Sequence, residues 1–217
     1  MCFKLPPIRL NWRTLTAFSS PSIFLYLTIC KDYNKKYKGK FSLSSMAIDL
    51  FEIDVAGNDA LNKNFSVVVV LNQKEVYGFR VPVKILDQLT TEFNKGLLNL
   101  KNKLMFKIRL HQTILILLLQ MAIKRRRKTN KCKLEICNDM DGHFHNIKYR
   151  IFEKLKGKMP TLEKDNIVMQ KFLKESLVNQ AAHNFYINNK KKLKEYNVCN
   201  FSIDDLRELI KKRGNQG

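Results

Sequence analysis

From Met46 onward the hydrophobic and polar positions alternate with two distinct periods. Residues 47–55 (AIDLFEIDV) alternate with period two and predict a strand, and Gly57-Asn58-Asp59 supplies a turn after it. Residues 65–71 (FSVVVVL) are β-branched and continuously apolar, as a strand buried on both faces should be. Asn72-Gln73-Lys74 reverses the chain, residues 75–81 (EVYGFRV) return as a third strand, and Pro82 ends it. Ile85, Leu86, Leu89 and Phe93 have helical spacing and predict a helix over 83–94. Residues 103–110 (KLMFKIRL) alternate again and predict a further strand, followed by an apolar helix over 112–128 with a basic C-terminal end. Residues 133–139 (KLEICND) predict a strand ending in acids. A helix over 143–155 presents Ile147, Ile151, Phe152 and Leu155 on one face, and residues 166–173 (NIVMQKFL) predict another strand. Ser176 can cap a helix running to about Tyr196. Ser202 can cap a last short one, with Asp204 and Asp205 in its first turn.

The order is strands first, as an antiparallel meander, then helix and strand in alternation. Alternation implies parallel strands joined by right-handed crossovers. The expected class is therefore α/β, with a mixed sheet flanked by helices. Residues 1–45 differ: they hold three of the five prolines, the only tryptophan (Trp12) and a lysine cluster at 31, 35, 36, 38 and 40, with no clean period. They read as a basic extension, poorly ordered or laid over the main domain at 46–217. Met46 is also a plausible native start.

Composition sharpens this picture. Hydrophobic residues make up 45% of the 217, enough for a packed core. Forty Lys and Arg face nineteen Asp and Glu, a net charge of +21. Such an excess repels itself in a compact state unless a polyanion or salt relieves it, which points to nucleic acid as partner. Residues 15–30 are too short and too polar to span a membrane, and 113–123 are only eleven, so no stable insertion is expected. A peripheral membrane protein held by the lysine cluster and residues 15–30 is the minor rival. Five cysteines in no scaffold spacing suit a reducing interior, hence the cytoplasm, or the nucleus in a eukaryote.

A three-stranded meander extended by parallel strands, with acids in FEIDVAG and EICNDMDG, resembles the ribonuclease H-like superfamily over roughly residues 46–196. The resemblance implies a mixed sheet in which the first and fourth strands lie side by side, each presenting an Asp to a divalent metal. The matching residues are Asp54 and Asp139, with Asp141 and His183 as helpers, and Mg²⁺ or Mn²⁺ as the cation for hard oxygen ligands. It implies metal-dependent hydrolysis of phosphodiester bonds in DNA or RNA. Two departures stand against it. The apolar helix over 112–128 has no acid, with Glu92 only a weak substitute, and Asn179 stands where the last helix often carries an Asp or His. The alternative is a binding module on the same fold without the metal centre.

Other chemistry finds less support. Cys132, Cys137, His143 and His145 do not have zinc-finger spacing. No Glu or Asp has Lys two positions later, so the PD-(D/E)xK nuclease signature is absent, as is any phosphate-binding glycine loop. The basic clusters are plainer. Lys124, Arg125, Arg126, Arg127 and Lys128 form one, extended by Lys131 and Lys133; Lys190, Lys191, Lys192 and Lys194 form another. Both are candidate phosphate contacts, which give affinity without sequence information.

The charge alone generates one expectation. Affinity for nucleic acid should fall log-linearly with salt, by about 10³-fold or more between 50 and 200 mM, and equally for unrelated sequences. A filter-binding series over that range checks it, and an affinity indifferent to salt would exclude phosphate-driven binding.

Overall fold

A computed structural model describes residues 48–57, 59–124, 126 and 130–211, with the side chains of 139–141 left aside. The expectation for residues 1–45 lies outside these described residues. The meander consists of β1 (Ile48–Ala56), β2 (Ser66–Leu71) and β3 (Glu75–Arg80). Helices α1 (Val83–Asn94) and α2 (Lys103–Ile123) follow. Next come β4 (Lys131–Cys137), α3 (Phe144–Leu155) and β5 (Ile167–Gln170). The chain ends with α4 (Leu177–Tyr186), a single turn α5 (Lys190–Leu193), a two-residue strand β6 (Asn197–Val198) and α6 (Ile203–Lys211).

The six strands form one mixed sheet in the order β5-β4-β1-β2-β3-β6. β1, β2 and β3 are antiparallel neighbours, while β4 runs parallel to β1 and β5 parallel to β4. The sheet is thus α/β and mixed, flanked by helices on both faces. The hairpin between β2 and β3 turns at Asn72 and Gln73, both with φ near +54° (53° and 54°), the twist that matches two antiparallel strands.

Alternation along β1 divides the two faces. Phe51 and Ile53 are fully buried in the larger core, with Val67 and Val69 from β2, Leu134 and Ile136 from β4, and Leu110, Ile114 and Leu118 from α2. The opposite face has a smaller core in which Val68, Val70 and Val76 meet Val178, Ala181, Ala182 and Phe185 of α4. Gly78 makes that contact feasible. A Cβ there would stand 2.3 Å from the Phe185 ring, so only glycine lets the ring lie on β3.

Three sequence expectations are corrected. Residues 103–110 are not a strand but the first turns of α2, started by Asn102, whose side chain accepts the Met105 N–H at 2.8 Å. Phe106, Ile108 and Leu110 are buried and mimic period two, but residues 110–116 are all buried as well. A helix wrapped by sheet, α3 and α6 shows no one-sided stripe to read. Its 21 residues have the length and composition to cross a membrane, yet 67% of its apolar window is buried in the fold. Next, β5 stops at Gln170 and not at 173. Finally, the helix from Ser176 ends at Tyr186 and not near 196. Asn188 takes φ +54°, and the Asn189 side chain then caps α5 by accepting the Lys192 N–H.

At the N-terminal end of β1 lies a buried ion pair. Asp49 and Arg126 have side chains only 6% and 4% exposed, with Arg126 Nε donating to Asp49 Oδ2 at 2.5 Å. Asn72 Nδ2 and Asn130 Nδ2 both donate to Asp49 Oδ1 at 3.2 Å. Arg126 also donates to the Asn130 carbonyl at 2.6 Å and lies over the Phe51 ring. This one side chain ties the end of α2, the start of β4 and the first strand together.

Burial would raise the Asp49 carboxyl, but hydrogen bonds from Arg126, Asn72 and Asn130, and the Arg126 charge, outweigh it and hold it below its ordinary value. A carboxyl depressed in the folded state contributes stability that is present above its unfolded pKa of about 3.9 and lost as pH falls through the folded value. Arg126→Ala should therefore cost about 3 kcal/mol at neutral pH, because it leaves a buried carboxylate unpaired. It should also flatten the acid limb of the stability curve, both read from urea melts across pH.

Candidate functional site

On β1 the residues that alternate with the buried Phe51 and Ile53 are Glu52 and Asp54, which share the face on which α4 packs. Glu52 is 8% exposed and Asp54 5%. β4 runs parallel beside β1 in a register that sets Glu52 directly against Glu135. The last paired residues are Ile53 and Ile136, so continuing that register sets Asp54 level with Cys137, the end of β4. Asp54 Oδ1 accepts the Val55 N–H at 2.9 Å. Glu135 is held by Lys133 at 2.7 Å, two residues back on the same face.

The pairing has an electrostatic cost. Burial, and then repulsion from Glu135, raise the Glu52 carboxyl above its ordinary value.

Helix α4 covers β1, β2 and β3, leaving β4 and β5 open on this face. There Lys131 and Lys133 are exposed along β4, while Lys171 and Lys174 are exposed just after β5. Glu52, Glu135, Gln170, Lys171 and Ser176 line a groove of about 350 Å³ beside the α4 N-terminus. The groove thus has three acids, Glu52, Glu135 and Glu175, and one lysine, Lys171, in its lining, with Lys131 and Lys133 farther along β4.

The sequence candidates fall into different places. Asp54 lies on the acidic face. Asp139 and Asp141 belong to a 3₁₀ turn, Asn138–His143, that leaves β4 at the same sheet end; their side chains lie outside the described residues. His183 is exposed, as the sheet-facing stripe of α4 is Val178, Ala181, Ala182 and Phe185. Asn179 is half-buried, and its N–H is taken by the Ser176 cap. Glu92 is committed elsewhere, in a two-pronged pair with Arg207 of α6. Cys132 and Cys137 stand on opposite faces of β4, Cys132 bonding to Thr161 at 3.2 Å, so the two sulfurs cannot share a zinc ion with His143 and His145. Among the described residues, no three His, Cys, Asp or Glu side chains form a ready metal cluster.

The basic clusters divide similarly. Arg126 is the buried partner of Asp49 and is withdrawn from any phosphate. Lys124 is exposed at the end of α2, whereas Arg125, Arg127 and Lys128 lie outside the described residues. Lys190, Lys191 and Lys192 are exposed on α5 instead of a long helix, and Lys192 pairs with Glu195.

Glu52 and Glu135 were not singled out in the sequence. Their signal was present: an acid at the outward position of an apolar strand, two residues before Asp54 in one case. Only the register, which is non-local, joins them.

Comparison with protein-family models, with curated proteins and with solved structures found no match.

The Glu52 environment yields a signed expectation. A carboxyl raised in the folded state stabilises below its unfolded pKa, and that contribution is lost as pH rises through the folded value. Glu52→Gln keeps the shape and removes the charge, so its melting temperature should exceed that of the unaltered chain at pH 7. The two should converge near pH 4. Thermal melts at both pH values check this, and equal melting temperatures at pH 7 would remove the repulsion argument.

Proposed function

We propose that the chain binds nucleic acid along the open half of its sheet and hydrolyses phosphodiester bonds there with Mg²⁺ or Mn²⁺. The observation that carries the reading is the set of Glu52, Asp54 and Glu135 on one sheet face, bordered by exposed lysines. The strand order, with a meander continued by two parallel strands beyond β1, supports a ribonuclease H-like fold. In that fold an acidic patch on the first and fourth strands is the expected place for the chemistry.

The donors suit a hard cation, since carboxylate oxygens are its preferred ligands. Magnesium commonly takes only one or two protein carboxylates and completes its shell with water and substrate phosphate. Asp54 with Glu52 or Glu135 would hold it, with Asp139 and Asp141 as further carboxylates on the turn that follows β4. A divalent cation there supplies charge stabilisation at the phosphate. Asp54 is oriented by its bond from the Val55 N–H, which an uncharged Asn could keep. Lys131, Lys133, Lys171 and Lys174 would hold flanking phosphates, and Lys133 also restrains Glu135.

A second reading has its own observation. The solvent-facing His183 and the diversion of Glu92 to Arg207 leave two family positions without a role at the patch. That favours a binding module which retained the fold and the basic rim only.

A cleavage assay separates the two. The unaltered chain should cut DNA or RNA with Mg²⁺ or Mn²⁺ and stop in EDTA. Asp54→Asn and Glu135→Gln should each lower the rate by about 10²-fold or more, the several kcal/mol that a correctly held metal supplies. Nucleic-acid affinity should stay within about threefold, since the lysines carry it. Cleavage that persisted in EDTA would sink the metal mechanism. No cleavage with any divalent ion, at undiminished affinity, would establish the binding module.

A further inference from the structure

A second cavity, of about 430 Å³, opens on the other face of the sheet, at the C-terminal end of β1. Val55 and Gly57 form its wall on the strand side, and Leu104 and Ile108 of α2 form the wall opposite. Its polar content is unusual. His111 lines it while being only 1% exposed, and neither ring nitrogen has a hydrogen-bond partner among the described residues. Phe65 meets the imidazole edge-on, with centroids 5.8 Å apart.

A histidine buried without partners is costly, at roughly 1–3 kcal/mol for each unsatisfied group. Burial lowers the His111 pKa to about 4, so the ring is neutral at physiological pH and offers one donor and one acceptor. A phosphate or carboxylate gains no counter-charge from it. Lys107 and Asp59, which also line the cavity, are engaged with each other, and His143 is the remaining polar side chain of the lining. What suits the cavity is thus a neutral, flat molecule with apolar faces and a polar edge, and 430 Å³ lies in the range of small-ligand sites.

We propose that this cavity binds a nucleobase, with Phe65, Leu104 and Ile108 against the base and the His111 ring, whose nitrogens are closed off from solvent, turning to bond its edge. The base would belong to a free nucleotide or to an end or unpaired position of a bound strand. Choosing a base over another heteroaromatic rests on the nucleic-acid reading above, because the net charge of +21 gathers polynucleotide and the cavity opens at the sheet end that bears Asp54. A pocket of this kind would hold a base at the sheet end where Asp54 lies, on the opposite face from the acidic patch, as pockets for extruded bases do in nucleic-acid enzymes.

The test follows the ring nitrogens of the four histidines by NMR in the full chain. The probes are AMP, GMP, CMP and UMP singly, a short single-stranded oligonucleotide, and the same oligonucleotide with abasic positions. The expected result is a saturable shift at His111 with at least one nucleotide or with the base-bearing strand, and none with the abasic strand. Leu104→Trp, a substitution at a half-exposed rim position that fills the opening, should weaken that response by about tenfold or more. His111→Phe keeps an aromatic ring against Phe65 but has no His111 signal, so its loss of nucleotide affinity, about tenfold or more, is read by equilibrium dialysis. A shift with the strand alone assigns the base to bound nucleic acid. A shift with nucleotides while no oligonucleotide binds keeps the cavity and removes the nucleic-acid reading. Strands that bind equally with and without bases, while His111 is unmoved by every probe, would overturn the base pocket and leave that reading intact.

Discussion

The period-two alternation of β1 is the constraint on which the remaining structure depends. Phe51 and Ile53 are fully buried against α2, so Glu52 between them and Asp54 after them have to face the other way. A slip of one residue would drive Glu52 and Asp54 into the larger core and expose two large apolar side chains. Burying a Phe and an Ile is worth roughly 1.5–3 kcal/mol each, and burying unpaired carboxylates costs several more. Register is therefore strongly fixed, and the acidic face comes with it. The partner register between β1 and β4 then brings Glu135 beside Glu52, a repulsive contact that packing alone would not select.

The Asp49–Arg126 pair secures the same strand from its other end. Its network reaches the β2–β3 turn through Asn72 and the start of β4 through Asn130. Asn72 also exchanges two hydrogen bonds with the Leu50 backbone, extending the β1–β2 ladder past the turn. One cation out of a run of five thus serves as an internal brace. Desolvating both charges is expensive, and the three donors to Asp49 offset that cost.

How far this was legible in the sequence depends on range. β1, β2 and β3 could be read because alternation, β-branched residues and turn residues are local signals. The meander followed by parallel strands came from element order alone. Residues 103–110 misled because a helix buried on nearly every side has no polar stripe, and a few charged residues at its exposed start imitate a strand. The tail beyond Tyr186 misled because Asn188 and Asn189, both compatible with helix on composition, terminate it by backbone conformation and capping. Of the site, Asp54 was readable as an acid near a strand end. Glu52 with Glu135, and Arg126 with Asp49, were not. Each pair joins residues 77 or more apart, or sets on one face residues whose facing depends on register.

The acidic face makes chemical sense only together with the charge of the whole. A chain at +21 attracts a polyanion to any uncovered surface, and the open half of the sheet is such a surface. Yet Glu52, Asp54 and Glu135 would repel any phosphate that Lys131, Lys133, Lys171 and Lys174 could attract. For a surface that only binds, this arrangement wastes affinity, and replacing the acids by Gln or Ser would improve it. For a surface that holds a divalent cation between carboxylate and phosphate, the same acids change sign in effect: the cation relieves their mutual repulsion and turns the floor attractive to the strand. The Glu52 carboxyl is raised above its ordinary value first by burial and only then by repulsion from Glu135. The Glu52–Glu135 contact is thus imposed by register and offset by the packing of Phe51 and Ile53 on the other face.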